Sequence, residues 1–248
     1  MAFWGFGKPN VGKLKARRDV QGLIVALQKS KDNAVQTEVC DALIEIGPEA
    51  VPLLSWAVIE SKSEVRLAAL LTLERISNEQ AITSIQEALK NSSFQVRKEA
   101  ARILGKHGNP DALEKLLAVP ATEMRSFTQI GCQPDRFSRE VINAAAAAVV
   151  KIGTRHFEQL LALLQHPDIA PFAARALGWI GNRQAVPYLV EALEDSNEFL
   201  FEAVAEALAE LKDPVSVDPL ISSLSRGRPM AMAANKALQR ITGHRYLG

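Results

Sequence analysis

An all-α, right-handed solenoid of about seven helix pairs is the predicted fold, and three observations predict it. A helix-terminating residue recurs at Gly47, Ser77, Gly108, Gly153, Gly181, Lys212 and Thr242, so successive units are 30, 31, 45, 28, 31 and 30 residues long. A period near 30 residues leaves room for two helices and two turns, and for no β-sheet. Each unit ends in a segment whose small and apolar residues fall on one helical face.

The segment Ser92 to Gly108, SSFQVRKEAARILGKHG, shows the pattern most completely. Ser93 can cap its start, Val96, Ala100, Ile103 and Leu104 share a face, and Gly108 supplies a left-handed stop. In chain order, residues 1–18 read as an N-terminal capping segment in which Phe3, Trp4 and Phe6 cover the flank of the first repeat. Residues 19–248 read as the array itself. The first repeat has an outer helix over Val20 to Gln28 and an inner helix over Ala34 to Ile46; the second runs from Pro48 to Ser77 and the third from Asn78 to Gly108. Turns such as IGPEAV, HGNPDAL and IGNRQAV place Gly, Asn or Pro where one helix must stop and the next begin. The fourth repeat carries an insertion at residues 119–137, VPATEMRSFTQIGCQPDRF, expected between its two helices. Alanines such as Ala100, Ala101, Ala173 and Ala205 let neighbouring helices approach closely. The string GKPNVGKL matches the glycine and lysine spacing of a phosphate loop through Gly7, Gly12 and Lys13. Leu14 stands where the magnesium-binding hydroxyl belongs, so nucleotide binding is not expected.

Composition narrows the function classes. With 29 basic and 28 acidic residues in 248, the net charge is +1, and no global field draws the protein to nucleic acid or an anionic membrane. Cys40 and Cys132, with four scattered His residues, form neither a disulfide framework nor a metal-ligand pattern. A soluble protein of the reducing cytoplasm is expected, since the opening MAFWGFG lacks a signal peptide's basic leader and long apolar core. No catalytic motif is present.

The units EVRLAALLTLERIS, QVRKEAARILGKHG and NRQAVPYLVEAL resemble HEAT repeats of the phycobilisome-lyase type, over Asp19 to Thr242. The resemblance implies a helical-repeat fold. For function it implies an interaction scaffold, a regulator, or a subunit that attaches or detaches bilin pigments. An arginine after the helix-starting valine appears as Arg66 and Arg97, whereas Gln36, Ile142, Ala170, Phe201 and Ala231 stand at the corresponding places.

Fourfold spacing puts a ridge of each inner helix on the expected concave face. The ridges give a central cationic strip of Lys98, Arg102, Lys106, Lys151 and Arg175, with Trp179 as an aromatic anchor. This strip suits an acidic protein or peptide. The competing reading pairs Glu45 with Arg75, and Glu206 with Arg175 and Lys236, on a solvated face. Met124 and Phe127 of the insertion form a second candidate contact. Cys132 reads as an inert thiol, His107 as a part-buried helix residue, and Glu202, Glu206 and Glu210 as solvated carboxylates. The run Phe199-Leu200-Phe201 must expose at least one aromatic, since three consecutive residues cannot share a face. Two functions follow: a non-catalytic scaffold holding a partner on its concave face without a cofactor, or a bilin lyase-type or chaperone-type subunit acting on a pigment-bearing protein. Under the second, a bilin lies against Trp179 with its propionates on Arg102 or Arg175.

Overall fold

The computed structural model describes residues 9–128, 136–195, 197–244 and 246. Among them every regular element is helical. A short helix α1 (Val11–Ala16) precedes seven pairs, each an outer helix followed by an inner one. They are α2 (Val20–Lys29) with α3 (Asn33–Ile46), α4 (Val51–Glu60) with α5 (Ser63–Ile76), and α6 (Glu79–Glu87) with α7 (Phe94–His107). There follow α8 (Leu113–Thr128) with α9 (Arg136–Gly153), α10 (Phe157–Ala162) with α11 (Ala170–Ile180), α12 (Val186–Ala192) with α13 (Glu198–Leu211), and α14 (Val217–Ser222) with α15 (Arg228–Thr242). The chain divides into two compact units, Met1–Leu104 and Gly105–Gly248.

In the first unit α1 packs on α2 and α3, and α3 packs on α5. Asn10 and Asp19 start α1 and α2 by accepting the Lys13 and Gly22 amides at 2.9 and 2.8 Å. The core is aliphatic: Leu23, Ile24, Leu43, Leu54, Leu70, Leu73 and Ile85 are fully enclosed. The most apolar stretch, Asn33–Glu60, reaches a mean hydropathy of 1.5. Gly47, at φ 77°, divides it into helices of 14 and 10 residues, each shorter than the roughly 20 that cross a bilayer.

Arg66 and Arg97 prove to be braces for the turns. Arg66 donates to the Ser61 carbonyl at 2.6 Å and to Asn91 Oδ1 at 3.1 Å, and Arg97 donates to the Asn91 carbonyl at 2.8 Å. Asn91 in turn donates to the Val58 carbonyl at 2.8 Å, tying the second repeat to the third. The second unit builds such a brace from a different element. Arg226, just before α15, donates to the carbonyls of Leu193 and Asp195 (the latter at 2.9 Å), with its guanidinium over the Phe201 ring at 5.3 Å.

In the second unit α9, α11, α13 and α15 lie side by side, with α11 and α13 the most extensive pairing. Glycine permits one of these approaches, α11 on α13, and also the close approach of Gly105 to α9. A Cβ on Gly105 would stand 2.8 Å from Ala148 Cα, and one on Gly178 would stand 2.8 Å from Ala207 Cα.

Helix stops largely follow the expected register, with two corrections. Gly47, Ser77, Gly108, Gly181 and Lys212 have positive φ. The last stop is Gly243 (φ 79°), not Thr242, which still belongs to α15. Gly153 is not a left-handed stop but a packing residue: a Cβ there would meet the Leu160 side chain at 2.6 Å. The segment assigned to an insertion is helical at both ends, because α8 continues through Val119 and across Pro120 to Thr128 and α9 starts at Arg136. Residues 129–135, with Ile130 and Cys132, lie outside the described residues, as do Phe3, Trp4, Phe6 and Gly7.

Lys212 holds the left-handed conformation (φ 50°, ψ 42°) at an exposed position. A side chain with a Cβ is disfavoured there by about 1–2 kcal/mol. Lys212→Gly is therefore expected to stabilise the second unit by about 0.5–1 kcal/mol, read as a raised urea midpoint. A lowered midpoint would show that the lysine side chain contributes more than its backbone strain removes.

Candidate partner-binding face of the second unit

The expected cationic strip is placed in pieces. Lys98, Arg102 and Lys106 are exposed on α7, and Lys151 is exposed on α9. Arg102 is held by carboxylates: its guanidinium lies 2.6 Å from Glu99 on the same helix and 3.7 Å from Glu74 on α5. The Glu99 hydrogen bonds, foremost, raise its pKa above the ordinary arginine value. Arg175 donates to Glu206 at 3.0 Å and lies over the Phe199 ring at 5.1 Å. Met124 and Phe127 belong to α8, but their side chains are outside the described part of the structure.

The predicted pairs are partly corrected. Arg75 pairs with Asp41 at 2.6 Å rather than with Glu45, which instead pairs with Lys15 of α1. The one-turn shift arises because α1 offers Glu45 a nearer cation, and fourfold spacing alone does not set which rung an arginine reaches. Glu206 takes Arg175, as expected, and Arg240 takes Glu210 at 2.7 Å. Among the described residues Lys236 has no ion pair with Glu206.

What the second unit does bring together is a set of exposed apolar side chains on α11, α13 and α15. Trp179 is 54% exposed, Phe199 41% and Met232 60%. The edge of Phe199 meets Phe172 with ring centres 5.8 Å apart, and Arg175 links this pair to the Trp179 end of α11. Beside Trp179 is an apolar cleft of about 170 Å³ walled by Leu116, Leu117 and Pro120 of α8, Ile142 and Val149 of α9, and Phe172 of α11. On the other side, an open groove of about 710 Å³ between α13 and α15 is lined by Glu198, Phe199, Glu202, Met232 and Lys236, among others.

Trp179 was legible from helical spacing, and the exposed aromatic of the Phe199 run was expected. The cleft was not, because its walls come from three helices. Cys40, in the first unit, offers no reactive thiol: burial, chiefly, pushes its pKa up. Among the described residues no cluster of His, Cys, Asp and Glu is arranged to hold a metal.

Stacked helix pairs with turn-bracing side chains define a helical-repeat protein as a class. The chain belongs to the HEAT-repeat family, whose model matches residues 52–126 and 157–239, more than half of its length. A stretch of 60 residues, 24% of this chain, is 45% identical to the phycocyanobilin lyase subunit alpha of Nostoc sp. PCC 7120. That stretch spans 22% of the relative's length. Solved structures with similar helices include the complex of CpcE and CpcF of phycocyanin lyase from the same organism, with 18% identity, 97% of this chain and 100% of that chain covered, and a TM-score of 0.38. Human deoxyhypusine hydroxylase is 17% identical, with 95% of this chain and 100% of that chain covered and a TM-score of 0.37.

Proposed function

We propose that this HEAT-repeat chain is a non-catalytic scaffold that receives a partner protein on the α11, α13 and α15 face of its second unit. The observation that carries this reading is Trp179, more than half exposed at the mouth of an apolar cleft of about 170 Å³. A cleft of that size is smaller than the roughly 300–1,000 Å³ of small-molecule sites and suits one bulky side chain of a partner. An exposed tryptophan beside such a cleft is the arrangement that concentrates binding energy at protein interfaces.

Trp179→Ala is expected to weaken binding of the partner by about 2 kcal/mol or more, measured by calorimetry on the partner recovered with the intact chain. The unfolding midpoint should move little, because so much of the side chain is already in water. Loss of stability with unchanged affinity would remove this face as the docking site.

The 45% identical stretch favours a second reading, in which the chain works as a lyase-type or chaperone-type subunit on a bilin-bearing protein. The 710 Å³ groove has the volume for a pigment, but Glu198 and Glu202 on its wall oppose the pigment's propionates. Added bilin should then shift its absorption and quench Trp179 fluorescence in a Trp4→Phe, Trp56→Phe background. Neither change is expected if the scaffold reading holds.

A further inference from the structure

The geometry points to a basic amphipathic peptide segment as the occupant of this face, with a bulky apolar residue anchored beside Trp179 and Lys or Arg residues set against Glu198 and Glu202. This inference rests on the proposed docking face and adds the chemistry of the partner.

The argument begins with the apolar path. Trp179, Phe199 and Met232 are each exposed on a successive helix of the same face, and the cleft and groove open on either side of the Arg175–Phe199 stack. An apolar path flanked by charge is read by an amphipathic segment, whose anchors fill the path while its polar side chains meet the rim.

The rim charge then selects the sign of that segment. Helix α13 carries four carboxylates at fourfold spacing: Glu198, Glu202, Glu206 and Glu210. Glu206 is neutralised by Arg175 at 3.0 Å and Glu210 by Arg240 at 2.7 Å. Among the described residues Glu198 and Glu202 have no ion-pair partner. Both line the groove beside Phe199 and Met232. Lys236 is the one cation among the residues lining the groove, so two carboxylates face a single ammonium and the rim is left negative. Arg175, the cation nearest the apolar path, is neutralised by Glu206 and stacked on Phe199, so little positive charge is left there for an acidic partner. Glu198 also opens α13, where it favours the positive end of the helix dipole. That local role accounts for one carboxylate and leaves Glu202 unexplained.

The test uses the full chain and a phage-displayed library of random dodecapeptides, with the enriched peptides measured by fluorescence anisotropy. Enriched sequences are expected to combine a Leu, Phe or Trp with a net positive charge. Their affinity should fall about tenfold in the Glu198→Lys, Glu202→Lys double variant and several-fold between 50 and 500 mM NaCl. It should stay unchanged in Glu158→Lys, an exposed carboxylate on α10. If the reversal perturbs folding by circular dichroism, the Glu198→Gln, Glu202→Gln pair removes the charge while keeping the shape. Enrichment of neutral or acidic peptides that still depend on Trp179 would overturn the basic partner and leave the docking face standing. Failure to enrich any peptide, or peptides whose affinity Trp179→Ala leaves intact, would count against both. Binding of labelled single-stranded oligonucleotide at this face would assign it to another class of partner and overturn the inference outright.

Discussion

Phe201→Ala is expected to destabilise the second unit by about 3–5 kcal/mol, read as a lowered urea midpoint by circular dichroism. The ring is wholly enclosed and is the largest fully buried side chain among the described residues. Its removal leaves a cavity inside α13, the helix flanked by both α11 and α15. It also withdraws the surface on which Arg226 rests at 5.3 Å while holding the Leu193 and Asp195 carbonyls. The neighbouring Phe199→Ala is the internal control. That ring is 41% exposed, so its loss should register as about 1 kcal/mol or less in stability and appear instead in binding. Equal costs at the two positions would mean that the register of α13 is wrong. In a repeat array the two units need not unfold together, so the change belongs to whichever transition reports the second unit.

Gly178→Val is the second large effect, with an expected cost of about 3 kcal/mol. Replacing glycine within a helix ordinarily gains up to about 1 kcal/mol, because glycine has the most backbone freedom to lose. Here steric exclusion outweighs that gain. A Cβ would stand 2.8 Å from Ala207 Cα, 3.0 Å from its Cβ and 3.3 Å from its carbonyl oxygen. The obstacle is mostly backbone, which no rotamer change relieves, so α11 and α13 must separate along a packed seam. Adding Ala207→Gly should recover part of the loss, since it removes one of the opposing atoms, and the double variant then measures the coupling directly. Stability unchanged in Gly178→Val would show that the two helices do not meet this closely in solution.

The fold was legible to the extent that it is written in local chemistry. Seven pairs follow from the recurrence of stops and from small and apolar residues three and four apart. The burial of Val96, Ala100, Ile103 and Leu104 follows from the same spacing. Periodicity could not tell an inserted loop from a longer helix at residues 119–128, where the chain keeps its helix across Pro120. Nor could it say whether Gly153 turns the chain or makes room for Leu160. The cationic strip was inferred from ridge positions, and spacing on one helix carries no information on which carboxylate of the next helix an arginine will meet.

The sequence by itself determined the helix pairs, their family, the aliphatic core and the exposure of Trp179, because each depends on residues within one turn or one repeat. Only the tertiary structure decided how charge is distributed. Whether Arg175 meets a partner or Glu206 is a matter of a few ångströms between residues 31 positions apart. It likewise decided that Trp179 stands over a cleft, whose walls from α8, α9 and α11 are separated in sequence by up to about 60 residues. Short-range propensities fix the elements, whereas a site made of several elements is fixed by how closely their backbones pack, as Gly178 does where α11 meets α13.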